Sequence, residues 1–561
     1  MNSVAIIGAG ITGLTAGFYL QRKGVPVTIY EAGSRAGGVI QSIRKDGYLV
    51  ETGPNTILET SPKISQLIRD AGLESRKLNP DPNAEARYVV RYKRPIALPG
   101  SPLGFFTTNL FSAKAKLAVL REPFVPPRRD GKEESIAEFV IRRLGNEFLD
   151  QAIDALVAGI YAGDPHKLSV THAFPKLAQL EAKYGSLIKG QILGARERKR
   201  RGEVAKDRAP KFSFDEGLQV LTDTLRNRLG DSVHLNASVT RLIQTGARTS
   251  SGAAIPEGWS LDIRENGHET RVEHTAVIYA GTAFKLAELQ IETLPTQSKD
   301  PPFDWEGNFP HQFSSIEVHE SSQTQNPEGI PPQSPGLPSL RGYPGMEAAD
   351  VHNPERVAPS SYGSTVHGQI HGVRTERIPL SRFSEIRYPP VASLVLGFRR
   401  EDVAHPCQGF GMLIPKVEGF KILGSIFSSS LFLNRAPAGH LTLTSYIGGE
   451  RYPELASLPH DKLVALACED LRVILGVKGK PTFEHSTFYP RAIPQYNVGY
   501  GKYRELMTDI ETRAPGFFLA GHYRDGVSLS DSIISGCNIA DRLENFLSTT
   551  KPHQPDLTLA R

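Results

Sequence analysis

Three glycines, Gly8, Gly10 and Gly13, punctuate "AIIGAGITGL" (residues 5–14) and constrain this chain more than any other feature. An apolar strand, Val4 to Gly8, runs into them; a helix from about Ile11 to Lys23 leaves them and stops at Gly24; a second strand covers Pro26 to Tyr30. Glycine at these positions permits a tight turn, close approach of a pyrophosphate to the backbone, and close packing of helix on strand. The phosphates then rest on the N–H groups that open the helix. Glu31, at the end of the second strand, is placed to accept hydrogen bonds from a ribose diol, and its charge disfavours a 2′-phosphate, which argues against NADP. The spacing therefore predicts a strand–helix–strand unit of a parallel sheet that binds a dinucleotide.

A similar pattern returns near the other end. "FLAGHYRDGVSLSDSIISG" (518–536) reads as a strand "GFFLAG", a turn around Asp525-Gly526 and a helix starting near Ser528. Its N–H groups suit an anion or the electron-rich edge of a ring. Gly37-Gly38 adds a further turn without Cβ atoms just past Glu31. One nicotinamide cofactor does not need both ends of a chain. A flavin lying extended between them does, and FAD is the expected cofactor; the alternative for the late segment is a structural turn with no ligand.

At 561 residues, several sub-domains are expected. The 65 basic and 60 acidic side chains leave a net charge of only +5, which gives no support to a nucleic-acid binder and leaves acidic substrates and anionic lipid surfaces open. Cys407, Cys468 and Cys537 include no CxxC pair, so neither a disulfide framework nor a cysteine zinc site is expected. The uncharged stretch Ser3 to Leu20 carries four glycines and reads as strand, turn and helix, not as a membrane span. No basic or Arg/Ser-rich leader is visible ahead of the first strand. His166 and His172 lack partners at ligand spacing, and no metal is expected. Cys537 reads as a small core residue.

Between the two ends, Ser61-Pro62 starts a helix with Ile64, Leu67 and Ile68 on one face and Gly72 closing it. Residues 107–200 read as helical and end in the basic run "RERKRR" (196–201), which is suited to a solvated helix end or to an anionic lipid surface. Strands are expected at 232–281. Residues 290–388, rich in Pro, Ser, Gly and Gln, read as a disordered insertion. Alternating apolar residues in 391–398, 409–415, 421–427 and 440–449 predict a mostly antiparallel sheet, followed by a helix at about 459–475.

The motifs "VAIIGAGITGLTAGFYL", "EAGSRAGGVIQS", "YLVETGPNTIL", "LVAGIYAGDPHKLSV", "GFGMLIP", "LGSIFSSSLFLNRAP", "RAIPQYNVGY" and "AGHYRDGVSLSDSIISG" resemble the FAD-dependent amine-oxidase-like superfamily, and within it the protoporphyrinogen oxidases. Val39 stands where amine oxidases usually carry arginine, against a close amine-oxidase assignment. The resemblance implies an α/β plus α+β fold: a Rossmann-like FAD-binding domain assembled from 1–86, 212–283 and 484–561, a helical, membrane-associated domain over 87–211, and a mixed-sheet substrate domain over 284–483 that carries the insertion. It implies FAD contacts at Gly8, Gly10, Gly13, Glu31, Gly38, Gly53, Pro54, Val239, Val527 and Ser528. For the substrate it implies Arg87 against a propionate, Leu413 and Phe427 flanking the tetrapyrrole, a Gly159–Gly163 turn at the cleft, and Asn55 at a cleft position where some relatives have arginine.

The activity so implied is oxidation of protoporphyrinogen IX to protoporphyrin IX in haem synthesis, with hydride passing to non-covalent FAD and dioxygen reoxidising it to give peroxide. No acid or base residue is assigned. A peripheral site on the inner mitochondrial membrane and a homodimer are the accompanying expectations. Two alternatives stand beside this one: an amine oxidase or polyene desaturase of the same superfamily, and a non-catalytic flavin-bound partner protein.

Overall fold

The computed structural model describes residues 3–201, 209–248, 254–294, 368–370 and 373–549. Val4–Ile7 is the central strand of a five-stranded sheet, all parallel, and its side chains are buried on both faces, as a doubly covered strand requires. Val27–Glu31 and then Val233–Leu235 lie on one side of it; Ala276–Tyr279 and then Phe517–Leu519 lie on the other. The sheet is thus built from three stretches far apart in sequence. The helices Ile11–Arg22 and Leu529–Thr549 pack together on it, and a Cβ on Gly536 would stand 2.6 Å from the carbonyl oxygen of Thr12. Only glycine lets the last helix come this close.

A six-stranded sheet continues from this layer, in the order His268–His274, Ala254–Glu265, Ala237–Arg248, Gln290–Thr293, Val373–Arg377 and Gly368–Ile370. This corrects the reading of 290–388 as a single disordered insertion. Its two ends are strands that pair Glu292 with Arg377, and Ile378, Leu380, Phe383 and Ile386 after them are core residues. Low average hydrophobicity across the segment hid apolar residues concentrated at its margins. The rest of that expectation, 295–367, lies outside the described residues.

A third sheet has seven strands in the order Phe483–Tyr489, Val391–Arg399, His440–Gly448, Ile422–Ile426, Gly411–Leu413, Arg87–Arg91 and Arg94–Ala97. It is antiparallel, as the alternation predicts, except where Arg87–Arg91 runs parallel to Gly411–Leu413. Residues 87–97, expected to open the helical segment, instead complete this sheet. From Pro102 to Arg201 the chain is mostly helical, with Ser101, Ser112 and Ser135 capping successive helices and Glu138 completing a capping box with Ser135. Inside this unit Arg143 bridges Glu122 and Glu181, all three buried. Side chains of the basic run 196–201 lie outside the described ones. Among the described residues no helix is long and apolar enough to cross a membrane.

Candidate active site

A cavity of about 3140 Å³ runs between the parallel sheet and the seven-stranded sheet. Gly8, Gly10, Glu31 and Gly38 line it, as do Gly53, Pro54, Val239, Val527 and Ser528, and so do Arg87, Gly159 and Leu413. Both glycine turns of the chain therefore line one continuous space.

The first turn is built for a phosphate. The helix Ile11–Arg22 has no side chain capping its N-terminus and no acidic residue in its first turn, and a Cβ on Gly10 would enter open space where the cavity lies. Gly13 does not line the cavity: its Cβ would stand 2.0 Å from the carbonyl oxygen of Gly8, so its role is the close packing of helix on strand. Glu31 accepts hydrogen bonds from the backbone N–H groups of Ala9 and Gly33, each at 2.8 Å, which ties the carboxylate to the loop it serves. The second turn differs. Ser528 and Asp531 cap their own helix, the Ser528 hydroxyl donating to the Asp531 carboxylate at 2.6 Å and accepting from the Asp531 N–H at 3.1 Å. A carboxylate at that helix start disfavours a phosphate, so the first turn suits a pyrophosphate better than the second does.

Around the second turn burial shifts the titratable groups. Burial lowers the His522 imidazole to about 4, so it is uncharged at neutral pH. Burial raises the Asp525 carboxyl above its usual range, although the hydroxyl of Ser535 donates to it. The phenol of Tyr496 donates to the carbonyl of His522 and accepts from the N–H of Gly526 at 3.2 Å, and Tyr500 donates to the carbonyl of Tyr523. Two phenols from the "AIPQYNVGY" stretch thus hold the loop whose glycines, Gly521 and Gly526, have φ of +116° and +126°.

The substrate-side residues fare unequally. Arg87 stands at the cavity wall with its guanidinium carbon 6.0 Å from the centre of the Phe410 ring, and Leu413 packs on Gly159, where a Cβ would lie 2.4 Å from the Leu413 side chain. Residues 154–161 are helical, so the expected turn begins only at Ala162, which adopts φ of +48°. Gly163 is not at the wall but beneath Gln495 and Leu168. Phe427 is likewise a core residue, fully buried behind Tyr88 and His405. Alternation along its strand placed its neighbour Ile426 on the cavity side. Asn55 sits just behind the wall, donating to the phenol of Tyr446 at 2.7 Å. His172 is buried beside Glu133 at 3.3 Å, and no group of metal-binding side chains occurs among the described residues.

Three lining residues escaped sequence reading. Lys211 brings its ammonium to 5.9 Å from the Phe410 ring, on the same aromatic face-partner as Arg87; Tyr446 and Tyr489 line the floor. Nothing local marks them, since each owes its place to a partner hundreds of residues away.

A dinucleotide sheet joined by an elongated cavity to an apolar, cation-edged sheet defines an FAD-dependent oxidoreductase. The profile of one family, described as "Flavin containing amine oxidoreductase", matches residues 11–297 and 375–543, and the chain belongs to that family. It is 31% identical to "Protoporphyrinogen oxidase 2, chloroplastic/mitochondrial" of Arabidopsis thaliana, over 97% of this chain and 94% of that relative. It is 26% identical to "Coproporphyrinogen III oxidase" of Bacillus subtilis, over 97% of this chain and 98% of that one. A crystal structure of an Exiguobacterium sp. 255-15 protein superposes with a TM-score of 0.66 at 18% identity, covering 97% of this chain and 99% of that chain. Its fold is shared.

Proposed function

We propose that this protein oxidises protoporphyrinogen IX to protoporphyrin IX in haem synthesis. The observation that carries the reading is the cavity itself: the space lined by both glycine turns is lined also by Leu413, Leu423 and Ile426 and by Arg87 and Lys211, whose cationic groups share the Phe410 ring. An apolar macrocycle with both carboxylates on one side fits such a chamber edge-on. FAD, when bound, supplies the hydride acceptor. The chain's own part is to orient a bridging carbon toward that acceptor, to exclude water with the sheet floor and the helix Asp154–Tyr161, and to clamp the carboxylates at the rim. Each turnover removes one hydride from a bridging carbon and one proton; three turnovers take four hydrogens from the bridging carbons and two from pyrrole nitrogens, and dioxygen takes the electrons and leaves as peroxide. No acid or base is assigned, and the gain in conjugation drives proton loss.

Coproporphyrinogen III is the second reading, supported by relatives that carry that name. The two differ in charge, since coproporphyrinogen bears carboxylates on the opposite edge too. An anaerobic mix of holoenzyme with each porphyrinogen, following flavin bleaching and porphyrin fluorescence, decides: faster reduction by protoporphyrinogen supports the proposal, and no bleaching by either substrate refutes both.

The helical unit supports a peripheral place on a membrane, at the inner mitochondrial membrane. Leu103 and Phe124 are 75% and 85% exposed, and Phe106, Leu117 and Leu120 are exposed nearby in sequence, interleaved with Lys114, Lys116 and Arg121. Co-sedimentation with anionic vesicles that is lost in Leu103→Ser/Phe124→Ser tests this.

A further inference from the structure

Tyr446 lines the cavity. Its strand, His440–Gly448, places it directly opposite Ser393 on one side and Gly424 on the other, and Gly424 is in turn opposite Leu413 of the substrate wall. Its ring packs on the cluster of Ala158, Ala162, Val391 and Leu423. Its phenol is reached from the nucleotide side by Asn55, which donates to it at 2.7 Å and is anchored to the carbonyl of Gly53 at 3.3 Å. Gly53, Tyr446 and Leu413 all line the cavity.

That hydrogen bond fixes the direction of the next one. An amide N–H can only donate, so it occupies a lone pair of the Tyr446 oxygen, and the phenol's own proton must point elsewhere. Among the described residues none accepts it. The hydroxyl of Ser393, the one other polar group directly opposite, is itself buried without a partner. Burial also holds the phenol in its protonated form, well above its ordinary range. An oriented O–H at the wall of an apolar chamber is costly to leave unpaired and is expected to find its acceptor in whatever fills the cavity. The porphyrinogen macrocycle offers only N–H donors at its centre, and its carboxylates belong at the Arg87 edge. A flavin ring, by contrast, presents carbonyl oxygens and ring nitrogens along its edge.

We propose that Tyr446 donates a hydrogen bond to the bound flavin ring at the edge facing the substrate, with Asn55 as the residue that positions it. This rests on the FAD-dependent reading above. A donor there stabilises the electron-rich reduced ring more than the oxidised one, because the acceptor atoms gain negative charge on reduction. Tyr446 would thereby raise the driving force for hydride removal.

The test uses the FAD-loaded protein and no porphyrinogen. Dye-referenced anaerobic reduction of the parent, Tyr446→Phe and Asn55→Ala gives the flavin midpoint potential of each. Tyr446→Phe should shift the reduced-to-oxidised equilibrium about tenfold toward oxidised flavin, which for a two-electron couple is a potential lower by about 30 mV. Its visible flavin band should move, and Asn55→Ala should shift both readouts in the same direction by less. With porphyrinogen, the limiting rate of flavin reduction should fall. A potential and band in Tyr446→Phe identical to the parent would overturn the proposal. Should Tyr446→Phe fail to retain FAD, Asn55→Ala decides by the same two readouts. Holoenzyme that shows the shift yet oxidises no porphyrinogen would sink the substrate reading and leave Tyr446 assigned.

Discussion

The hydroxyl of Thr12 donates to the carbonyl of Ser532 at 3.0 Å, joining the first helix of the chain to the last across 520 residues. Gly8 to Gly13 and Gly526 to Ser530 flank that bond, so the two ends of the sequence form one site. The last helix thus packs directly behind the first glycine turn.

Gly10→Val places a branched side chain in the open space over the first helix turn. The variant should fold, with far-UV circular dichroism like the parent, but purify colourless because the pyrophosphate cannot reach the helix N-terminus. A yellow variant with normal FAD content would remove the loop from the site.

Arg87→Ala should weaken substrate binding by about 1.5–3 kcal/mol, the scale of charge-assisted hydrogen bonds, and appear as a KM raised roughly ten- to a hundredfold. Phe427→Leu, in the core behind the wall, should lower the melting temperature and leave KM alone. If the two variants swap these effects, the wall has been drawn in the wrong place.

Glu51 and Arg435 form a buried ion pair at 3.4 Å, with Ser42 and the N–H of Leu218 also donating to Glu51 and Arg435 donating to Ser213. Burial raises the Glu51 carboxyl and lowers the Arg435 guanidinium, each against the pull of its partner, so desolvation outweighs attraction on both sides. Arg435→Met should then cost about 3–5 kcal/mol of stability by stranding a buried carboxylate. Adding Glu51→Gln should recover most of it. Urea unfolding of the single and double variants checks this, and a double variant as unstable as the single one would contradict it.

His274 titrates at about 4 in the fold, lowered by burial from 6.5, with Tyr30 at 3.0 Å from its Nε2. The folded state holds it neutral, so between pH 6.5 and 4 the unfolded chain binds a proton that the fold refuses. Stability should fall as pH drops through that window, by about 1.4 kcal/mol per pH unit from this group, and its contribution should level off below 4. His274→Gln should flatten the slope by that amount in unfolding curves taken at pH 7, 6 and 5.

Particular residues show how far the sequence reaches. The turn at Gly8–Gly13, its carboxylate Glu31, the capped helix at Ser61-Pro62 and the alternating strands of 391–449 are local patterns, and the structure has each of them within a residue or two. Phe427 and Gly163 were placed by family resemblance alone; in the fold Phe427 follows the strand Ile422–Ile426 into the core, and Gly163 follows the helix Asp154–Tyr161 and packs against Gln495 and Leu168. The edges of the insertion were misread because averaging over a long polar stretch erased Ile291 and Ile378.

By itself the sequence determined that a strand–turn–helix unit with the glycine pattern of a nucleotide turn exists and which strands alternate, because those properties depend on neighbours within a few residues. Only the tertiary structure decided that both glycine turns share one cavity, that Lys211 joins Arg87 over Phe410, and that Asn55 aims Tyr446. Each of these is a contact between chain segments separated by more than a hundred residues, and its geometry is set by sheet register and helix packing, which no local pattern encodes.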